Sequence, residues 1–244
     1  MRCALAALGF INGDLQYNLR VILNTMEKCA DKADIVIFGE AFLQGFYAAD
    51  FDIRHDAQIA VALDDPNIKK IREKARECGT AVSFGFIEKD GDTFYSSQLT
   101  VNRDGEKLDL YRRISPGWKL PNADHHYREG DSFHTFHFMN KKIAAALCGD
   151  LWHDENIEAM RNLCPDTVFW PVYTDFNWKK WNDEIKHEYA AQAQKACNQV
   201  LYVNAYCKDK DGEEIARGGA ALFENGRIVC EIPSGAENII FIEI

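Results

Sequence analysis

The sequence lacks several patterns that would place it in a common functional class. Its 244 residues contain no apolar run that approaches the roughly 20 residues needed to cross a bilayer. It also has no CxxC pair, no HExxH sequence, no glycine-rich phosphate loop and no GxSxG sequence. These absences argue against a membrane span, the common zinc sites, a P-loop nucleotide site and a serine hydrolase elbow.

Basic residues are also too few to balance the acids, and the net charge is −10. This charge argues against a nucleic acid or an anionic membrane surface as the main partner. The apolar N-terminal segment lacks a small-residue cleavage site, and Asn12, Gly13 and Asp14 follow it directly. We therefore interpret it as the first core strand and predict a cytoplasmic protein.

The remaining pattern is an alternation of apolar runs and helical periods in a chain that is 47% hydrophobic. Strands are predicted at residues 2–10, 35–38, 81–87, 93–101, 143–147, 167–172, 200–206, 219–223, 227–232 and 239–244. Helical spacing occurs at residues 15–29, 68–78, 156–164 and 185–197, and residues 112–135 form a long loop. The sequence contains no segment with the composition of a linker, so we predict one domain over residues 1–244. The alternating pattern predicts that this domain is an α/β sandwich with mixed sheets.

Two polar residues follow the predicted central strands. Glu40 comes after the apolar run 35–38, and Cys148 comes after the run 143–147. Open α/β folds gather their ligands at the carboxyl ends of such strands. There a carboxylate can remove a thiol proton, and the thiolate can attack a carbonyl carbon. Position alone leaves an alternative open: Cys148 could be one more buried cysteine among the eight of the chain, and Glu40 could simply cap a helix.

Histidines and aromatic residues give weaker signals. His125, His126, His134 and His137 raise the question of a metal, but His134 and His137 would point to opposite faces of an extended segment. We interpret them as surface or loop residues and predict no metal site. Six aromatic residues near strand ends are candidates for pocket walls or for core packing: Trp118, Trp152, Trp170, Tyr173, Phe176 and Trp178.

Three segments resemble motifs of the nitrilase (carbon–nitrogen hydrolase) superfamily. IVIFGEAFLQGF resembles the motif of its glutamate, DLYRRIS the segment of its lysine, and AAALCGDLW the motif of its nucleophile. They occur in the same order as in the family and at similar separations, 73 residues from Glu40 to Arg113 and 35 from Arg113 to Cys148. The resemblance extends from the opening strand to the closing strand, so it covers nearly the whole chain.

The resemblance implies a four-layer αββα sandwich with two mixed sheets that hydrolyses non-peptide C–N bonds of small amides or carbamoyl compounds. Glu40 would act as general base and then as acid, and Cys148 would form a thioester. A basic residue would stabilise the oxyanion together with the backbone N–H after the nucleophile. No metal or organic cofactor is implied. Similar proteins are usually oligomeric, which predicts a homodimer.

The sequence departs from the family pattern at the lysine, where Arg113 stands. Arginine donates hydrogen bonds but is planar and stays charged. Three readings follow: Arg113 substitutes directly, which we prefer; Lys119 reaches in from the loop; or the site is catalytically weak. The further carboxylate found in many relatives has two candidates here, Asp124 and Glu129. Trp152 and Tyr173 are candidate substrate contacts, and Asp150 is expected to orient the turn after the nucleophile.

Two alternative functions remain at this stage. A nitrilase-fold protein with a degraded site could serve as a binding module, a possibility raised by Arg113. An acyltransferase would share the Cys148 thioester but resolve it with an amine. Retention of both Glu40 and Cys148 favours an enzyme over the binding module. The sequence does not separate hydrolysis from transfer and does not identify the substrate.

Overall fold

The computed structural model describes residues 1–210, 212 and 215–244, and two six-stranded sheets form its centre. The strands are β1 (Arg2–Ala7), β2 (Gly9–Phe10), β3 (Ile35–Phe38), β4 (Ala81–Asp90), β5 (Thr93–Val101), β6 (Lys107–Arg112), β7 (Thr135–Phe138), β8 (Lys141–Ala145), β9 (Thr167–Val172), β10 (Gln199–Asn204), β11 (Tyr206–Cys207), β12 (Ala220–Glu224), β13 (Arg227–Ile232) and β14 (Asn238–Glu243). The helices are α1 (Leu15–Cys29), α2 (Ile53–Ile59), α3 (Pro66–Cys78), α4 (Asp154–Leu163), α5 (Trp178–Lys180) and α6 (Lys186–Ala196). A 3₁₀ turn spans Cys148–Trp152, and a π-helical turn at Trp181–Ile185 joins α5 to α6.

Both sheets mix parallel and antiparallel pairs. The first has the order β14-β1-β3-β4-β5-β6, and its parallel pairs are β1 with β3 and β3 with β4. The second has the order β13-β12-β10-β9-β8-β7, and its parallel pairs are β8 with β9 and β9 with β10. The carboxyl ends of β3 and β4, and likewise those of β8, β9 and β10, therefore share an edge, where polar side chains can converge.

Four layers follow from which face each side chain covers. One apolar cluster lies between the sheets and includes Leu5, Ile37, Phe169 and Val203, which are all fully buried. A second cluster joins α1 and α3 to the outer face of the first sheet, and a third joins α4 and α6 to the outer face of the second. The predicted α/β class, with its αββα sandwich of two mixed sheets, is confirmed.

Several predicted boundaries need correction. The predicted strands 2–10 and 200–206 each divide, because β2 and β11 leave the main sheets and pair with each other. The predicted strand 143–147 is β8 at Lys141–Ala145, so Cys148 lies three residues beyond the strand and begins a 3₁₀ turn. Strands β6 and β7 were not predicted, and the other predicted strands agree with the structure to within a few residues. Asp14 caps α1 by accepting from the Tyr17 N–H.

Helix α2 was not predicted, because its buried residue is polar. Asp56, in the middle of α2, is completely buried and accepts hydrogen bonds from Asp50 N, Phe51 N and Tyr127 Oη. Its apolar residues, such as Ile53 and Ala57, are only partly buried, so the apolar stripe on which helix prediction relies is short and weak. The Tyr127 contact ties this segment to the long loop before β7. None of the described helices is long and apolar enough to span a membrane.

Candidate active site

Cys148 sits in a turn with an unfavourable backbone conformation. Its φ angle is +42°, in the left-handed region that residues other than glycine rarely adopt. The carbonyl of Cys148 accepts a hydrogen bond from Trp170 Nε1 at 2.9 Å. Its Sγ lies 3.4 Å from the carbonyl oxygen of Tyr173, just beyond the end of β9. The strained turn directs the partly exposed thiol towards the carboxyl ends of the parallel strands.

Asp150 holds this turn in place, as the sequence suggested. Its Oδ2 accepts from Leu147 N at 2.8 Å and from Tyr111 Oη at 2.6 Å. Its Oδ1 accepts from Ser115 N at 2.7 Å and Ile114 N at 3.2 Å. Burial raises the pKa of Asp150, and these hydrogen bonds partly offset that rise. One buried carboxylate thus joins the turn of Cys148 to the segment that follows β6.

Glu40 lies completely buried two residues beyond β3. Its backbone N–H donates to Val172 O at 3.2 Å. Its Oε1 accepts from Ser96 Oγ at 2.8 Å and Arg113 Nη1 at 2.9 Å, whereas Oε2 has no hydrogen-bond partner among the described residues. A buried carboxylate oxygen left unpaired is costly, so Oε2 is available to accept a proton or a substrate hydrogen.

Gly39 stands where the motif of the nitrilase superfamily that this segment resembles usually has a proline, and the structure gives a steric reason. A Cβ at this position would lie 2.9 Å from Ala205 N and 3.0 Å from Val172 O. Contacts this short with backbone atoms cannot be relieved by moving a side chain. The departure from the family pattern therefore reflects close packing of this segment against β9 and β10, and Glu40 itself is correctly buried.

Arg113 links Glu40 to the turn of Cys148. Its guanidinium is 4% exposed, and Nη1 makes the ion pair with Glu40. Its Nε donates to Ser115 Oγ at 3.0 Å. Its Nη2 lies 2.8 Å from the position that a Cβ on Gly149 would occupy, so only glycine fits after Cys148 while Arg113 is in place. Burial disfavours its charged form, but the negative charges around it, that of Glu40 foremost, outweigh burial and raise the pKa of Arg113.

Lys119 is engaged elsewhere. Its Nζ lies 2.6 Å from Glu129 Oε1 and donates to Tyr127 O at 3.1 Å. Among the described contacts, Arg113 is the basic side chain that forms an ion pair with Glu40. Of the three readings that the sequence left open, the geometry therefore favours Arg113 at the position of the family lysine.

The electrostatic surroundings keep Cys148 in the thiol form at rest. Burial and the adjacent charge of Glu40 raise the pKa of Cys148 to about 12, although Arg113 acts in the opposite direction. At neutral pH the sulfur therefore carries its proton and needs a base to become a nucleophile. The Oε2 atom of Glu40 can accept this proton, because it is a carboxylate oxygen without a hydrogen-bond partner among the described residues.

Four other residues were predicted for the site: Tyr173, Trp152, Asp124 and Glu129. Tyr173 adjoins Cys148 through its backbone carbonyl, while its buried ring stacks on Phe46 at 4.5 Å. Trp152 is 42% exposed and borders a surface cavity of about 500 Å³ with Phe176. No described hydrogen bond or ion pair joins Asp124 or Glu129 to the Cys148 cluster, and the roles predicted for all four stay predictions.

Of the four histidines named from the sequence, only His125 and His126 fall, with Asp124, in a group of described residues that could hold a metal ion, and the absence of a metal site stays a prediction. His134 pairs with Asp109 through Nε2 at 2.6 Å, apart from His125 and His126. His126 Nδ1 instead lies 2.9 Å from Asp124 Oδ1, and the donor atoms of these two and His125 fall within 4.8 Å of one another on an exposed loop. This arrangement is separate from Cys148 and adds nothing to its chemistry.

Sequence reasoning missed Ser96 and Ser115, and it did not predict the contact of Trp170 with Cys148. Ser96 reaches Glu40 only because β3, β4 and β5 are neighbours in the sheet, which no local pattern encodes. Trp170 had been placed near the pocket without a defined partner. Its hydrogen bond to Cys148 O depends on the parallel pairing of β8 and β9.

Comparison with known proteins agrees with this fold. The carbon-nitrogen hydrolase family model matches residues 2–244. An (R)-stereoselective amidase from a Pseudomonas species is 27% identical over 231 residues, covering 95% of this chain and 80% of the amidase. An N-carbamoylputrescine amidase from Solanum tuberosum is 28% identical over 148 residues, which is 57% of this chain and 47% of that protein.

Solved structures extend the comparison to the whole chain. A mutant amidase of the nitrilase superfamily from Nesterenkonia superposes with a TM-score of 0.79 at 16% identity, covering 100% of this chain and 91% of that one. At this identity the likeness concerns the fold. Together with the family match over almost every residue, it shows that the chain belongs to the carbon-nitrogen hydrolase family, in the nitrilase superfamily.

Proposed function

We propose that the protein is an amidohydrolase that cleaves a non-peptide C–N bond of a small amide or carbamoyl compound through a thioester on Cys148. The observation that supports this most is the buried Glu40–Arg113 pair beside the Cys148 turn, with Glu40 Oε2 unpaired. The family membership and the names of two relatives, an amidase and an N-carbamoylputrescine amidase, support the reaction class.

In the first half-reaction, Glu40 Oε2 accepts the Sγ proton of Cys148 as the sulfur attacks the substrate carbonyl carbon. A C–S bond forms, and the carbonyl electron pair moves to oxygen. Arg113 Nη2 is the candidate donor to this oxyanion: Nη1 and Nε donate to Glu40 and Ser115, and Nη2 makes one long hydrogen bond to Pro116 O at 3.4 Å, which leaves its second N–H for the oxyanion. When the carbonyl re-forms, the C–N bond breaks and Glu40 returns its proton to the leaving nitrogen.

In the second half-reaction, water attacks the thioester carbonyl. Glu40 accepts a proton from this water, and the second tetrahedral intermediate again places its oxyanion near Arg113. Collapse breaks the C–S bond and returns the proton to Cys148, releasing the acid. The four hydrogen bonds of Asp150 keep the Cys148 turn and the Arg113 segment in register through both steps.

The proposal includes a homodimer in the cytoplasm. Three aromatic side chains, Trp152, Phe176 and Trp178, are 38% to 42% exposed, and two of them, Trp152 and Phe176, line one surface cavity. Exposed aromatics of this kind favour a protein interface. Light scattering coupled to size-exclusion chromatography measures the mass directly, and a monomer at micromolar concentration would remove this part of the proposal.

A panel of small amides and carbamoyl compounds assayed for ammonia release tests the activity. The wild-type protein should release ammonia from at least one of them, and Cys148→Ala should release none. Cys230→Ala is the matched control, because Cys230 is a partly buried cysteine on β13, and three strands of the second sheet separate β13 from β8, the strand that precedes Cys148. Ammonia release that survives in Cys148→Ala would overturn the proposal.

A further inference from the structure

Two further cysteines, Cys164 and Cys197, lie at the end of the sandwich opposite Cys148. Cys164 directly precedes the loop into β9, and Cys197 directly precedes the loop into β10, so both lie at the amino ends of these parallel strands. Both line one surface cavity of about 720 Å³. Cys164 is exposed and Cys197 is 9% exposed, which gives the pair one accessible and one sheltered thiol.

Strand register places the two cysteines close enough for a disulfide. Val168 pairs with Val200 in the parallel ladder of β9 and β10. Three residues before this pair, the same register would place Pro165 opposite Cys197. The Cys197 Sγ lies 3.4 Å from Pro165 O, so the Cys197 thiol lies against the residue that follows Cys164. Adjacent strands are about 4.8 Å apart and successive Cα atoms about 3.8 Å, so an ideal continuation of this register would place the Cα atoms of Cys164 and Cys197 roughly 6 Å apart. Disulfides span this separation.

Each cysteine ends a helix that supports the nucleophile turn. Helix α4 starts two residues after the turn Cys148–Trp152, and Cys164 is its C-cap. Helix α6 holds the same turn through Gln192 Nε2, which donates to Leu151 O at 2.6 Å, and Cys197 is its C-cap. A bond between the two cysteines would therefore join the far ends of both supports.

The lining of the cavity favours an anionic ligand. Arg161 and Lys195 are its basic side chains, and its one acid, Asp166, already accepts from Lys142 N at 2.8 Å. We propose that Cys164 and Cys197 form a thiol–disulfide exchange site for a small anionic disulfide, of the glutathione type, and close into an intramolecular disulfide that fastens α4 to α6.

The exchange balances in two steps. The Cys164 thiolate attacks one sulfur of the small disulfide, the S–S bond breaks, and one small thiolate leaves. Cys197 then loses its proton to solvent and attacks Cys164 Sγ in the mixed disulfide, releasing the second small thiolate. Two electrons pass from the cysteine pair to the small disulfide, which is reduced to two thiols. The sheltered position of Cys197 suits it to the second step, after Cys164 has reacted.

The experiment uses oxidised glutathione on a Cys148→Ser background, which removes the nucleophile of the proposed reaction. Intact mass and peptide mapping should show the loss of two hydrogens and a crosslink between the peptides of Cys164 and Cys197. Adding Cys197→Ser should leave a stable glutathione adduct on Cys164, and adding Cys164→Ser should abolish both products. Adding Cys230→Ser is the control and should leave the crosslink unchanged.

The crosslinked protein should also melt several degrees higher than the reduced protein, and dithiothreitol should reverse the shift. The Cys148→Ser parent retains both Cys164 and Cys197. Peptide mapping of this parent therefore remains decisive even if a variant at either cysteine folds poorly. A lasting glutathione adduct on Cys164 in that parent, a crosslink to a different cysteine, or no modification at either residue would each overturn the proposal. These outcomes do not depend on amide hydrolysis.

Discussion

Replacing Glu40 with glutamine should separate the two effects that this carboxylate has on Cys148. The substitution keeps the size of the side chain and leaves an oxygen to accept from Ser96 and Arg113. It places an amide nitrogen where Oε2 has no hydrogen-bond partner among the described residues. Glu40→Gln therefore removes the negative charge and the proton acceptor with little change in packing.

The two consequences have opposite signs. Amide hydrolysis should fall about 10²–10⁴-fold, because general base catalysis is lost. The negative charge of Glu40 raises the pKa of Cys148, and Arg113 remains to lower it. A like charge at short range shifts a pKa by about 1–3 units, so Glu40→Gln should lower the thiol pKa by that amount. Well below the pKa, each unit raises the thiolate fraction roughly tenfold.

Iodoacetamide alkylation followed by mass spectrometry measures this shift. Wild-type Cys148 should react faster as pH rises from about 7 to 10, by roughly tenfold per unit, since its pKa is about 12. Glu40→Gln should react about 10–1000-fold faster than wild type at pH 8. Glu88→Gln, which removes a buried carboxylate paired with Arg112, should leave the rate unchanged. Slower alkylation in Glu40→Gln would refute the electrostatic account of Cys148.

Three further substitutions test other parts of the structure. Arg113→Lys exchanges a forked donor for a single ammonium, so kcat should fall by about 10²-fold with the same substrate in a steady-state assay; a large gain would mark the natural arginine as an impaired donor. Asp150→Asn presents four donors with one acceptor oxygen and should lower the free energy of unfolding by about 1–3 kcal/mol in urea titrations, and an unchanged midpoint would contradict its role in holding the turn. Tyr127→Phe removes a donor from buried Asp56 and should lower the same free energy by about 1–3 kcal/mol; stability equal to wild type would show that this contact is dispensable.

The sequence predicted the parts of the fold that local patterns encode. The apolar run 35–38 and the strands 219–223 and 227–232 each depend on neighbouring residues, and each is present in the structure to within a residue. The end of β8 was misplaced because Ala146 and Leu147 are as apolar and as buried as the strand. The chain leaves the strand there because Cys148 turns, and hydropathy does not record that turn.

The candidate site was predicted where motifs carry the information and missed where pairing between distant strands does. Glu40, Arg113 and Cys148 came from three local motifs, and the structure brings Glu40 and Arg113 to 2.9 Å across 73 residues. Ser96 meets Glu40 only through the order of strands in the first sheet. Asp56 was invisible for a different reason, since a buried carboxylate in a short helix reverses the hydropathy pattern on which prediction depends.

The central claim, a thioester on Cys148, is tested most directly by intact-protein mass spectrometry. The amide that releases ammonia fastest in the panel is mixed with the enzyme and quenched in acid within the first turnovers. The account predicts a stoichiometric acyl adduct that maps to the peptide of Cys148 and is absent from Cys148→Ala. Ammonia release without any adduct on Cys148 under conditions that preserve thioesters, or an adduct that maps to another residue, would contradict the account.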